Sequence, residues 1–237
     1  MKKAVYIGWE PREAAAFAVA RHSLLKHCSD PSIEVHGLVL DDLKKAGLFW
    51  RDQPIVDGKI YDTISEAFCA TQFSISRFLI KALAGSGWAL FMDSDMLIRG
   101  DIAEVFGLLD DSKAIMCVKH DHRPTEGVKM DGQVQSSYGR KNWSSFFAVQ
   151  CQHPANAALT IELVNTATGR DLHRFCWIED DDLIGGLPEE WNWLAGHSDP
   201  AIAPKNCHHT EGSPCMPGYE SAPYSDEWRA TLNEWAI

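Results

Sequence analysis

FMDSDMLIRGDI, residues 91–102, is the stretch on which the fold turns. Trp88, Ala89, Leu90, Phe91 and Met92 form an apolar run of strand length, and the acids begin where such a strand would leave its sheet. Asp93 and Asp95 stand at that exit, and Gly100-Asp101 then opens a helix predicted over 102–109. Two neighbouring carboxylates repel each other and are costly to bury alone, so a divalent cation is their natural partner. Oxygen ligands of this kind suit Mg²⁺ or Mn²⁺, which keep positions for water and for substrate phosphates. A short D-x-D is also a common solvated turn. Its placement favours a ligand site here, because ligands gather at the strand ends of open α/β sheets.

Working outward, KAVYIG (residues 3–8) reads as a buried strand ending at Gly8, followed by a helix over 13–27 and a second strand over 33–40. This is βαβ grammar, and it predicts an α/β protein. Residues 41–60 read as irregular, and 74–84 as a helix that passes through Gly85-Ser86-Gly87 into the strand with the aspartates. Further strands are expected at 114–118 and 145–151, with a helix over 155–165. Beyond about residue 185 the chain is rich in Pro, Gly, Trp and His without clear period, which reads as ordered irregular structure closing a site.

The chain has 237 residues, 45% apolar and 23% charged, which fits one generous globular domain or two small ones. Its net charge of −11 argues against a broad footprint on long duplex nucleic acid, which draws affinity from clustered Lys and Arg. A nucleotide-sized ligand held by a metal and one or two cations remains compatible. Seven cysteines without a C-x-x-C pair indicate neither a disulfide framework nor a paired-cysteine zinc site. The start, MKKAVYIGWEPREA, has no apolar core of signal-peptide length, and no window reaches the length of a membrane span. A reduced, cytoplasmic protein is the expectation.

Four places together resemble the metal-dependent GT-A glycosyltransferases, in particular the retaining kind that includes glycogenin and the lipopolysaccharide galactosyltransferases. The first is SISRFLIKALAGSGWALFMDSDMLIRGDIAEVF, similar to that family's arginine-bearing helix, strand and D-x-D. The resemblance implies that Asp93 and Asp95 hold the metal, that Ser94 touches the ribose and that Arg77 faces the donor phosphates. The second, IEDDDLIGGLPEEWN, resembles the acid-rich motif leading into L-P-x-x-W-N, and gives Asp180 and Asp181 the donor sugar's hydroxyls, which carboxylates suit as multiple acceptors. The third, HHTEGSPC, resembles H-x-x-G and makes His209 the third metal ligand, with Gly212 letting backbone approach the diphosphate. Cys215 stands where the family has a lysine, so the leaving group would lean on the metal, Arg77 or Lys205. The fourth, KNWSSFFAVQC, carries Trp143 and Ser145 in place of an asparagine and a glycine and marks only a position beside the donor sugar. Gly8 resembles the docking point of base and ribose.

The resemblance implies one GT-A domain over 1–237, a Rossmann-like mixed sheet flanked by helices. Its nucleotide-sugar part would span about 1–110 and its acceptor part about 111–237. The reaction implied is transfer of a hexose, with retention, from a nucleotide diphosphate sugar, UDP-linked by preference, to a hydroxyl acceptor with Mn²⁺ or Mg²⁺. Rival constellations stand beside it. His120-Asp121-His122, or Cys207, His208, His209 and Cys215, can be read as metal sites, and Trp191 and Trp193 as sugar-stacking platforms. A haloacid-dehalogenase-like phosphatase would use Asp93 as nucleophile, and a non-catalytic nucleotide-sugar-binding protein would need only the pocket.

Overall fold

The computed structural model describes residues 1–120 and 143–237 and, between them, the backbone of β9 (Gly127–Val128) and β10 (Val134–Gln135), which pair antiparallel. The strand with the aspartates lies deep in the molecule because its neighbours are apolar on both faces. It is one of β1 (Lys3–Trp9), β2 (Glu34–Val39), β6 (Trp88–Met92), β8 (Ile115–Cys117), β11 (Phe146–Gln150) and β12 (Ile184–Gly186), which form a six-stranded sheet in the order β12-β8-β11-β6-β1-β2. β1 is parallel to β2 and β6, whereas β11 runs antiparallel between β6 and β8, so the sheet is mixed.

Alternation along β6 divides the core. Ala89 and Phe91 face one layer with Phe78, Phe147 and Phe175, while Leu90 and Met92 face the other with Leu24, Ile102 and Val105. The first layer is covered by α3 (Phe73–Ser76), α4 (Ile80–Ala84), α6 (Ile161–Thr166) and α7 (Gly169–His173), the second by α1 (Ala14–His27) and α5 (Ile102–Leu108). Asp101 caps α5 by accepting from the Ala103 N–H at 3.0 Å, which explains that aspartate without chemistry. At Gly87, φ is +71° and a Cβ would meet the Lys2 carbonyl oxygen at 2.1 Å, so the turn into β6 requires glycine.

Regions expected to be irregular carry the main departures. Through 41–60 and on to residue 69 the chain forms α2 (Leu40–Lys45), and then β3 (Ile55–Val56), β4 (Lys59–Asp62) and β5 (Ala67–Cys69), an antiparallel flap. The flap is fastened by Arg51, whose guanidinium grips Asp62 and also donates to the Val164 and Ala167 carbonyls at 3.0 and 2.6 Å. The helix expected over 155–165 is broken into a 3-10 turn at Pro154–Ala158 and α6. The segment beyond 185 contains β13 (Trp193–Leu194) and β14 (Asn206–His208), which join β7 (Met96–Ile98) in a second sheet, and α8 (Ser225–Trp235), which packs on α1. Trp191 and Trp193 are 0% and 5% exposed, so they are core residues and not sugar platforms.

Candidate active site

Asp93 and Asp95 bracket the turn between β6 and β7. The Asp93 N–H donates to the Ser145 carbonyl at 3.0 Å, which carries the turn across to the start of β11. β14 pairs antiparallel with β7, His208 opposite Met96, so one side chain of β14 is delivered beside Asp95. That side chain is His208: its Nε2 lies 3.1 Å from Asp95 Oδ1 and 3.9 Å from Asp93 Oδ2. His209, chosen from the sequence, points the other way, and its Nε2 meets the Pro223 carbonyl at 2.9 Å. His208 ends β14 and His209 follows it, its N–H on the Asp95 carbonyl at 2.9 Å, and successive side chains along such an extended segment face opposite sides.

Donor atoms of Asp93, Asp95 and His208 lie within 4.8 Å of one another, the metal-capable group found among the described residues. The hydrogen bond at the other ring nitrogen of His208 supports this fit. Asn192 donates from Nδ2 to Ser145 Oγ at 3.0 Å, so its Oδ1, 2.9 Å from His208 Nδ1, accepts the ring proton there. Nε2 is then the ring nitrogen that faces the two carboxylates, 3.1 Å from Asp95 Oδ1 and 3.9 Å from Asp93 Oδ2, where a cation between them would find it. A ring held through its other nitrogen is also the usual support of a metal-bound histidine. The Cys207 and Cys215 thiols lie outside this group.

Arg77 is 6% exposed and bonds Asp93 Oδ1 at 2.9 Å and the Ser144 carbonyl at 2.8 Å, with its guanidinium 4.6 Å from the Phe91 ring centre. It therefore steadies the aspartate as well as lining the cavity. Burial raises the Asp93 carboxyl above its usual range, Arg77 opposes the rise and Asp95 adds to it. Ser94 is fully buried, and its hydroxyl donates to Glu13, which takes the place at the cavity expected of Ser94. The Glu13 carboxyl is pushed up to about 8, chiefly by burial and then by the charge of Asp95.

A cavity of about 960 Å³ opens over this group, walled by Arg12 and Glu13 beyond β1, by β5, by the start of α7 and by the loop from Thr210 to Met216. Gly212 lies in that loop, where a Cβ would strike the Tyr219 ring at 2.5 Å. Gly8 lies outside the lining, and a Cβ there would meet the Phe73 ring at 2.5 Å, so its bare Cα serves that packing. Asp180 and Asp181 are exposed and outside the cavity. They precede β12, which runs parallel to β8 and hence to β6, so they sit at the sheet edge opposite Asp93. Asp180 caps its turn, accepting from the Asp182 N–H at 2.9 Å. Besides Asp93 and Asp95 the cavity is lined by the carboxylates of Glu13, Glu211 and Asp171, the last on α7, where Thr168 Oγ1 donates to its Oδ2 and accepts from its N–H. No pattern in the sequence marked it. Lys205 is engaged by Glu104 and Glu190 at 2.5 and 3.1 Å, away from the cavity. Trp143 donates to the His120 carbonyl at 3.0 Å, while Asp121 and His122 lie outside the described residues.

No family model matches the chain. The apo structure of the bifunctional glycosyltransferase WbbM aligns at a TM-score of 0.64 and 12% identity over 97% of this chain and 49% of that one, so the chain spans about half of that protein's length. The galactosyltransferase LgtC, in complex with donor and acceptor sugar analogs, aligns at a TM-score of 0.56 and 10% identity over 98% of this chain and 95% of that one. Identities this low speak for the fold alone, and the fold is that of the GT-A glycosyltransferases. In sequence, Protein CDI of Arabidopsis thaliana is 42% identical over 237 residues, covering 98% of this chain and 86% of that protein. Identity of that degree over nearly the whole length makes the chain a member of the Protein CDI family.

Proposed function

We propose that the protein is a metal-dependent glycosyltransferase that moves a hexose from a nucleotide diphosphate sugar, UDP-linked by preference, to a hydroxyl acceptor with retention. The observation that carries this reading is the convergence of Asp93, Asp95 and His208 Nε2 at a cavity large enough for a nucleotide sugar. These three residues would hold Mn²⁺ or Mg²⁺, which when bound supplies Lewis-acid neutralisation of a departing diphosphate. The chain's own contribution is preorganisation. Arg77 fixes Asp93, Asn192 fixes the His208 tautomer, and Asp171 offers acceptor oxygens to sugar hydroxyls from the cavity wall.

In this reading residues 1–110 bind the nucleotide and 111–237 contribute the acceptor side of one cytoplasmic domain. No helix among the described residues is long and apolar enough to cross a membrane. The phosphatase alternative needs the motif on the first strand, whereas it closes β6, next to β1 in a GT-A sheet. The deciding experiment is nucleotide release from UDP-, GDP- and CMP-sugars with Mn²⁺ and with chelator. Chelator-sensitive release from one donor names the sugar, and the anomeric coupling of the product glycoside reads retention. Donor binding without turnover would turn the reading into a nucleotide-sugar-binding protein, and neither binding nor release would remove it.

A further inference from the structure

One wall of the cavity is left unused by the metal and diphosphate chemistry. Phe68 on β5 lines the cavity yet is 45% exposed, and Tyr61 packs against it edge-on, with ring centres 5.3 Å apart and planes at 73°. Hydroxyl-bearing residues share that wall, namely Ser65, Thr71, Ser74 and Thr168. We propose that Phe68 is the stacking platform for the nucleobase of the donor, an assignment that rests on the nucleotide diphosphate reading above.

The placement of the flap carries the argument. Just past β5 the Ala70 carbonyl accepts from Arg12 at 2.6 Å, and the Gln72 N–H donates to the buried Glu10 at 2.9 Å. Residues 10–12 leave the C-terminal end of β1, the strand beside β6, so the flap is pinned over the sheet edge adjoining Asp93. A ligand with its diphosphate at Asp93, Asp95 and His208 has its nucleoside within reach of that edge, the customary side for a nucleoside on an open α/β sheet. Gly8, the alternative docking point, is closed by Phe73. The flap is also braced from behind, because Arg51 and Asp62 are bonded with both side chains fully buried. A ring fixed before binding loses little freedom on stacking. Every base has a π-face, so such a platform gives affinity for any of them.

The test is calorimetry on the full chain with Mg²⁺, using UDP, GDP and CDP, with inorganic pyrophosphate as the base-free probe. Phe68→Ala is expected to weaken the nucleoside diphosphate that the wild type binds by roughly 10- to 100-fold. Pyrophosphate affinity should stay unchanged, and Phe68→Trp should keep the wild-type affinity. Equal affinity of Phe68→Ala and wild type for the nucleoside diphosphate overturns the assignment, as does a parallel loss of pyrophosphate binding, which would mark a structural role. Loss of transfer with unchanged nucleotide affinity also overturns it and gives the ring to the acceptor. A wild type that binds pyrophosphate and none of the nucleotides overturns both this assignment and the reading beneath it.

Discussion

His208 and His209 are adjacent in sequence and opposite in fate, because β14 turns one toward Asp95 and the other toward Pro223. His208→Ala should therefore lower Mn²⁺ affinity about 100-fold, whereas His209→Ala should leave it within a few-fold and act on stability; titration calorimetry separates the two. Equal losses would show that the ring facing Asp95 is not a ligand. His173 supplies a pH test. Its Nδ1 lies 2.6 Å from Ser144 Oγ, and burial, with Arg77 nearby, pushes its pKa down from 6.5 to about 3. The folded state resists protonation that the unfolded chain accepts, so this contribution to stability is complete above pH 6.5 and is lost as pH falls toward 3. Urea midpoints of wild type and His173→Asn should show the variant with the shallower acid loss, the difference being no steeper than about 1.4 kcal/mol per pH unit.

At the scale of elements, the flap and the turn carrying Asn192 hold the site without touching a reacting atom. Removing one partner of a buried ion pair leaves an uncompensated charge, so Asp62→Ala should cost about 3–5 kcal/mol in urea unfolding, while Arg51→Met with Asp62→Leu should recover much of it. Asn192→Ala should weaken Mn²⁺ binding roughly 10- to 100-fold with little change in the fold, because His208 loses the acceptor that sets its tautomer. An unchanged affinity would mean that strand pairing alone orients the ring. These short elements escape sequence reading for a physical reason. Strands of two or three residues are too short to show alternation, and α7 has five residues, so the period that reveals α1 is absent there.

For the whole molecule, a ligand that binds only the folded chain raises its melting temperature by mass action. A nucleoside diphosphate at about 100 times its Kd should add ~2.7 kcal/mol with Mn²⁺ present, and calorimetric scans should show that gain collapse when chelator is added. A gain untouched by chelator would detach nucleotide binding from the aspartate group. The division between sequence and structure is clearest at this scale. Local pattern determined the βαβ opening, the buried strand of residues 88–92 and the exit of Asp93 and Asp95 from it, because burial and periodicity act over neighbouring residues. Partners distant in the chain were decided only by tertiary structure. Strand register chose His208 over His209, sheet direction carried Asp180 and Asp181 to the far edge, and Phe73 filled the space above Gly8. Each of these depends on which strand lies beside which and in what direction, and long-range pairing of that kind leaves no mark in the local order of residues.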